Sequence, residues 1–481
     1  MSIQHETLFI DGRWHTPGSD AVIEVISPND GQSLGRVPDG ARSDVDVAVA
    51  AARAAFDHPA GWRSWSGAQR ADAMERLADE LDRRAPQMVQ AVSSQNGMPV
   101  AVAEQLEAVF PQLLLRYYAG LARSESFESR RPGLLGGSTL VTRTPIGVVG
   151  AIVPWNFPQA LAAFKYAPGL AAGCTFVMKP SPETVFDSFV FAEAVAAAGL
   201  PDGVVNIVPG GRELGAYLVS HPDVDKIAFT GSTAAGRAIG ETCGRLLRPV
   251  TLELGGKSAA VILDDADLDL ATVGQQLFGA TLLNNGQACY LSTRILAPRS
   301  RYDEVVDTFT GLAASLTVGS SLDPATQIGP MASARQRDRV ESYIAKGIGD
   351  GARVTTGGGR PAGLDDGFFV EPTVFADVDN NFAIAQEEIF GPVLCVIPYD
   401  GDDEAVSIAN ASDFGLGGTV WTSDHDRGVR VARGVQSGSF GINHYLPDPT
   451  APFGGVKSSG IGRELGPEGM SAYLVEKSIY L

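Results

Sequence analysis

A chain of 481 residues is longer than one hydrophobic core usually organises, so two or three structural units are expected. Hydrophobic residues at 44% and charged residues at 19% are ordinary for a globular fold and exclude a disordered or fibrous one. Thirty-seven Lys and Arg against 56 Asp and Glu give a formal charge of -19, and no basic cluster offsets it, so nucleic acid and anionic membranes are excluded as partners.

The opening MSIQHETLFIDGRW lacks the basic-then-apolar order of a secretory leader. Gly, Pro or polar residues interrupt every apolar run before the roughly 18 positions a membrane span needs. A cytoplasmic protein is expected. Cys174, Cys243, Cys289 and Cys395 are far apart and show neither a C-x-x-C pair nor metal-ligand spacing with the six histidines, so no disulfide framework and no metal are expected.

Ser43-Asp-Val-Asp opens a helix with a capping residue and an acid three later, and Val45, Val49, Ala52 and Phe56 recur at helical spacing. A second helix is expected from about Gln69 to Arg84 and another after Pro86, making the first 120 residues or so mostly helical. Near Gly137 the pattern changes: STLVTRTPIGVVGAIVP is rich in β-branched residues punctuated by Gly and Pro. Strands follow at Thr175–Met178, Val204–Val208, Lys226–Thr230 and Val250–Leu254, alternating with helices over Glu183–Ala198 and toward Cys243. That alternation predicts a parallel sheet with right-handed crossovers. From Gly256 a second α/β set appears, with helices over Tyr302–Leu316 and Ser333–Ile348 and a strand over Val393–Tyr399. The final SAYLVEKSIYL reads as a strand without a neighbour in sequence, which must pair elsewhere in the chain or with another chain.

Phe229-Thr-Gly-Ser-Thr-Ala-Ala-Gly236 follows a strand and opens a helix, which turns backbone N–H groups toward an anion such as a pyrophosphate. The Gly231 to Gly236 spacing departs from G-x-G-x-x-G, and a tight structural turn explains it equally well. Leu283-Asn-Asn-Gly-Gln-Ala-Cys289-Tyr sets one cysteine after a polar, Gly-containing stretch; the ordinary alternative is a buried inert thiol. Glu253 ends an otherwise apolar strand, where a carboxylate has a raised pKa and can serve as a base. Asn156, in Val-Pro-Trp-Asn-Phe-Pro, ends another strand at the edge where open α/β sheets bind ligands. Its amide can donate to an oxyanion, or the residue can simply form an Asn turn before a proline.

Six motifs occur in order: Pro-Trp-Asn-Phe-Pro at 154–158, Lys179-Pro-Ser, Phe-Thr-Gly-Ser at 229–232, Leu-Glu-Leu-Gly-Gly-Lys at 252–257 with Gly-Gln-x-Cys at 286–289, Glu388-Ile-Phe-Gly-Pro, and Pro-Phe-Gly-Gly-x-Lys at 452–457. With these the chain resembles the aldehyde dehydrogenase superfamily from near residue 8 to its end. The resemblance implies an α/β fold with a Rossmann-type cofactor domain (1–124 and 144–255), a second α/β catalytic domain (256–457), and a small bridging β-sheet from 125–143 and 458–481. It also implies dimers or tetramers formed through that sheet.

By position, the resemblance implies that Cys289 is the nucleophile, that Asn156 and the Cys289 N–H form the oxyanion hole, and that Glu253 is the general base. Lys165 and Glu464 match a proton relay behind the base, against the ordinary reading of a surface salt bridge or helix cap. Lys179 matches the adenosine-ribose lysine, Ser232 the pyrophosphate ligand, and Glu388 with Phe390 the pair at the nicotinamide. Trp155, Gly231, Gly236 and Leu254 also fall along the cofactor. Members that prefer NAD carry an acid three residues after the lysine; here that position is Pro182, and the acid is Glu183. NAD is the expected cofactor, with NADP kept as a second.

Phe157, Leu161, Phe164, Tyr290 and Phe453 match positions lining the aldehyde tunnel, which favours an apolar or aromatic aldehyde unless they simply belong to the core. The implied reaction is hydrolytic oxidation of an aldehyde to its acid. A CoA-acylating member would generally lack the base held here by Glu253, and a catalytically silent homologue would be expected to lose Cys289, Asn156 or Glu253.

Overall fold

The computed structural model describes residues 3–481 and contains two large sheets and three small ones. The first has eight strands in the order Gly460–Ile461, Val250–Glu253, Lys226–Thr230, Val148–Ile152, Thr175–Lys179, Val205–Ile207, Leu8–Ile10 and Arg13–His15. Its five central strands are parallel, with one antiparallel strand added at one side and an antiparallel pair of strands at the other. The second has seven, running Arg353–Thr356, Thr373–Ala376, Val393–Tyr399, Arg294–Pro298, Ala259–Ile262, Thr419–Trp421 and Gly441–Ile442. All of its pairings are parallel except that of the first edge strand. The central strands are buried along their whole length, which is why they read as continuous apolar runs.

The final strand, Leu474–Tyr480, finds its partner within the chain. It runs antiparallel to Ser138–Pro145, which pairs in turn with Glu128–Pro132. The stretch 458–481 is therefore shared between sheets: Gly460–Ile461 extends the first, and Leu474–Tyr480 edges the small one. No helix among the described residues is long and apolar enough to cross a membrane.

Three expectations need correction. The first 120 residues are not mostly helical from the start, because five short strands between Ile3 and Pro38 precede the first helix, Arg42–Asp57. Each has only two to six residues, too few for alternation to register, and although they pair mainly with one another, Leu8–Ile10 joins the large sheet through a distant partner, in the pairing of Phe9 with Ile207. That helix is capped at Ala41 and not at Ser43; the Asp44 carboxylate accepts from the backbone N–H groups of Ala41 and Gly18, both at 2.8 Å. The helix expected from Glu183 begins at Phe186, since the Gln95 side chain, from another helix, accepts from Val185 and Phe186 N–H at 2.9 Å and fixes its start there.

The helix Pro158–Ala172, which follows Asn156 and carries Lys165, is wholly buried against the first sheet. Gly169 permits that approach, because a Cβ there would lie 2.3 Å from the Phe176 ring. Gly169→Ala is expected to lower stability by about 1–3 kcal/mol through overpacking, seen as an earlier urea midpoint with unchanged slope. An unmoved midpoint would show that the helix can lift off the sheet without loss.

Candidate active site

Parallel strands deliver their carboxyl ends to one edge, and three of them end here at chemically useful residues. Val148–Ile152 leads to Trp155 and Asn156, Lys226–Thr230 to Gly231 and Ser232, and Val250–Glu253 to Leu254 and Gly255. These residues line one wall of a cleft of about 420 Å³, whose other wall carries Cys289, Arg335, Gln336, Arg339, Glu388 and Phe390.

The chain reaches Cys289 through left-handed backbone. Asn284 and Asn285 have φ of 50° and 60°, and Gly286 has φ of 75°. A Cβ on Gly286 would sit 2.2 Å from the Gly391 carbonyl group, so only glycine lets this loop rest on the segment after Phe390. Cys289 is partly exposed, whereas Cys174, Cys243 and Cys395 are buried. Asn156 is tied to the same loop, its Nδ2 donating to the Gln287 carbonyl at 2.9 Å. Its own carbonyl accepts from Asn284 Nδ2 at 2.9 Å and Asn96 Nδ2 at 3.1 Å. It is thus a cross-linked residue, and the simple Asn turn does not describe it.

Glu253 is only 2% exposed, and neither of its carboxyl oxygens has a hydrogen-bond partner. Burial, then the charge of Glu464, pushes its carboxyl well above the ordinary range; Lys165 and Arg463 oppose the shift. Behind it Lys165 Nζ donates to Glu464 Oε1 at 2.9 Å and to Thr230 Oγ1 at 2.6 Å. Both side chains are buried, so the surface-salt-bridge reading of this pair falls. The second oxygen of Glu464 is unpartnered. Burial and the charges of Glu388 and Glu253 push the Cys289 thiol well above the usual cysteine range.

Of the expected cofactor residues, Trp155, Gly231, Ser232, Leu254, Glu388 and Phe390 line the cleft, and Lys179, Glu183 and Gly236 do not. Ser232 caps the helix Thr233–Leu246, its Oγ accepting from Ala235 N–H at 3.3 Å, so the positive end of that helix faces the cleft. Glu388 accepts from Gly256 N–H at 2.9 Å, and burial raises its carboxyl to about 7. Phe390, at φ 63°, sets its ring edge-on to Trp155 with centroids 5.3 Å apart. Gly236 instead allows close packing, since a Cβ there would lie 2.3 Å from Leu254. Lys179 Nζ donates to the Pro180 and Gly210 carbonyls at 2.9 and 2.6 Å, and burial lowers its amine to about 8. Glu183 is held by Ser181 at 2.6 Å and, across the two walls, by Arg335 at 2.9 Å.

Phe157, Leu161, Phe164, Tyr290 and Phe453 are all buried in the main core, and none lines that cleft. Phe164 packs on Phe110 and Phe453 with centroids 5.8 and 6.0 Å away. Tyr290 meets Tyr445 edge-on at 5.1 Å. Phe453 and Tyr445 line a second cavity of about 460 Å³ under the loop 443–452. Among the described residues, no group of three or more His, Cys, Asp or Glu could hold a metal ion.

Sequence reasoning missed Asn96, Asn284, Arg335, Gln336, Arg339 and Tyr445. Paired asparagines before a glycine do signal left-handed backbone, so Asn284 was within reach. Arg335, Gln336 and Arg339 begin the helix Ala334–Gly349 at spacings that share one face, yet nothing local says that this face meets a cleft.

Residues 14–479 match the aldehyde dehydrogenase family. A geranial dehydrogenase from Castellaniella defragrans is 57% identical over 100% of both chains. A 3-succinoylsemialdehyde-pyridine dehydrogenase from a Pseudomonas species is 40% identical, with 99% of this chain and 98% of that one covered. Among solved structures, an aldehyde dehydrogenase from Mycobacterium tuberculosis complexed with NAD+ superposes with a TM-score of 0.97 at 49% identity, over 100% of this chain and 99% of that one. A cysteine-to-alanine variant of a Pseudomonas syringae aldehyde dehydrogenase, complexed with NAD+ and octanal, gives 0.95 at 39%, over 99% and 96%. With its six motifs on or behind one cleft and a match running nearly end to end, the chain belongs to the aldehyde dehydrogenase family.

Proposed function

We propose that the chain oxidises an apolar or aromatic aldehyde to its carboxylic acid with NAD, and NADP as a second cofactor, through a thioester on Cys289. The observation that carries the reading is the meeting, in one cleft, of a partly exposed thiol, the Asn156 amide and the end of the strand bearing the unpartnered Glu253.

The residues present fit a dinucleotide. The helix N-terminus at Ser232 suits a pyrophosphate. Glu388 offers a carboxylate, and Gly255 keeps the backbone bare beside it, since a Cβ there would lie 2.5 Å from that carboxylate. Arg335 and Arg339 add positive charge on the facing wall. The chemistry that NAD supplies when bound is acceptance of the hydride from the aldehyde carbon.

Glu253 takes the thiol proton, and the Cys289 sulfur attacks the aldehyde carbon as the carbonyl electron pair moves to oxygen. Asn156 Nδ2 and the Cys289 N–H hold that oxyanion. Once the aldehyde hydrogen has left, Cys289 carries the acyl group as a thioester. Glu253 then deprotonates a water, which adds to the thioester carbon and releases the acid while Cys289 leaves as thiolate. Before this second step Glu253 passes the thiol proton on, its acceptor being the unpartnered oxygen of Glu464, which Lys165 holds in place.

An apolar aldehyde is supported by the aromatic surroundings of Cys289, by the relative named for geranial, and by the relative crystallised with octanal. We further propose a cytoplasmic homo-oligomer, a dimer or tetramer assembled through the sheet ending in Leu474–Tyr480, with exposed Val475, Ile479 and Tyr480. The units expected from the sequence, with cofactor binding by 1–124 and 144–255 and catalysis by 256–457, belong to the same proposal.

A cofactor-reduction assay crossing NAD and NADP with short aliphatic, long aliphatic, aromatic and amino aldehydes tests the reading. The largest kcat/KM is expected for apolar long-chain or aromatic aldehydes with NAD. A preference for amino aldehydes would overturn the pocket reading, and absence of reduction in protein that binds NAD would overturn the activity. The raised thiol gives a second check: in the enzyme without cofactor, alkylation of Cys289 by iodoacetamide should climb about tenfold per pH unit to pH 9 or beyond. The sign follows from burial favouring the neutral thiol; a plateau near pH 7 would mean that a thiolate is already formed at rest.

A further inference from the structure

The loop before Cys289 contains a residue whose side chain does not face the reacting atoms yet grips the one that does. Asn284 is fully buried and left-handed, a conformation that asparagine tolerates better than other side chains. Its Nδ2 donates to the Asn156 carbonyl at 2.9 Å, while Asn156 Nδ2 donates back to the Gln287 carbonyl at 2.9 Å. The two bonds run in opposite directions between the same two segments and close a ring.

The Asn156 carbonyl also accepts from Asn96 at 3.1 Å, so both of its lone pairs are occupied and the peptide cannot turn without losing them. One N–H of the Asn156 amide is fixed on Gln287, which leaves the other for an oxyanion. The far side of the loop is anchored as firmly: Asn285 donates to the Gly97 and Pro330 carbonyls at 2.8 and 3.0 Å and accepts from Gly329 N–H at 2.6 Å. Asn284 therefore joins a rigid loop to the Asn156 peptide.

We infer that Asn284 is a positioning residue, holding the Asn156 amide in register with Cys289 so that its free N–H meets the oxyanion as it forms. The inference rests on the reading of Asn156 as an oxyanion donor. Two substitutions separate it from a purely conformational role. Asn284→Gly keeps the left-handed backbone and removes the donor, and Asn284→Asp keeps shape and left-handed tolerance but faces the carbonyl with an acceptor.

Both are expected to lower kcat by roughly 10- to 100-fold with KM and the NAD dissociation constant changed by no more than about twofold, because a displaced donor weakens the transition state alone. Asn156→Ala should cost on the order of 10²–10³ in kcat. If Asn284 acts through Asn156, the double variant Asn156→Ala/Asn284→Gly should be no slower than Asn156→Ala by itself. Thermal melting and NAD binding show that each variant is folded, and the Asp variant carries the test if the Gly variant is not.

Wild-type kcat in Asn284→Gly would overturn the inference, as would losses that multiply in the double variant. An unchanged kcat in Asn156→Ala beside a slow Asn284→Gly would overturn both the oxyanion reading and this one. An unchanged kcat in Asn156→Ala with multiplying losses avoided and Asn284→Gly at wild-type rate would remove both residues from catalysis.

Discussion

The hydrogen bonds between Asn156 and the 284–287 loop are the point on which the rest of the structure depends. Asn156 follows a strand of the eight-stranded sheet, and the loop precedes a strand of the seven-stranded one, so these bonds join the two halves of the molecule where the thiol sits. Loop segments that carry catalytic groups are ordinarily among the more mobile parts of a protein. Here three successive left-handed residues, a glycine pressed onto Gly391 and the amides of Asn96, Asn284 and Asn285 remove that freedom. Strained backbone persists only where its surroundings over-determine it, and this loop meets that condition.

The second constraint is electrostatic. Burial disfavours the charged form of Glu253, and the low-dielectric surroundings together with the Glu388 and Glu253 charges disfavour the Cys289 thiolate. A carboxyl with a raised pKa is a base matched to neutral pH, which an exposed glutamate is not. The same burial that makes the base effective would strand a charge without an outlet. The Lys165–Glu464 pair, packed directly behind with one carboxylate oxygen unpartnered, gives the proton somewhere to go. Exposed ion pairs elsewhere on the surface contribute little by comparison.

Most of the fold was legible because buried parallel strands announce themselves as short apolar runs between turn signals, as at Lys226–Thr230 and Val393–Tyr399. The N-terminal strands were not, since Leu8–Ile10 and Arg13–His15 form a hairpin of three-residue strands that joins the large sheet through Val205–Ile207, nearly two hundred residues later. The two helix starts were misplaced for different reasons: Gln95 fixes the start at Phe186 from 90 residues away, which local patterning does not encode, whereas Asp44 caps through the N–H three residues before it, a local signal that Ser43 obscured. In the site, residues at strand ends were readable, because that position is functional in any open α/β sheet. Arg335 and Arg339 were not, since their meaning comes from the wall they face and not from their neighbours. Lys179 and Glu183 show the opposite gap, for their motif is clear while their side chains here hold carbonyls and an arginine beside the cleft.

The central claim is a covalent acyl group on Cys289, and trapping it is the most direct test. Glu253→Gln, which keeps the shape of the side chain but cannot take a proton from water, would be mixed with NAD and an apolar aldehyde, quenched in acid, digested and mapped by mass spectrometry. The account predicts that the peptide containing Cys289 carries the mass of the corresponding acyl group, formed more slowly than in the wild type because the thiol proton must leave to solvent, yet accumulating toward one per active site because hydrolysis is slowed further. An unmodified Cys289 in protein that has produced NADH, or an acyl group on any other residue, would contradict it.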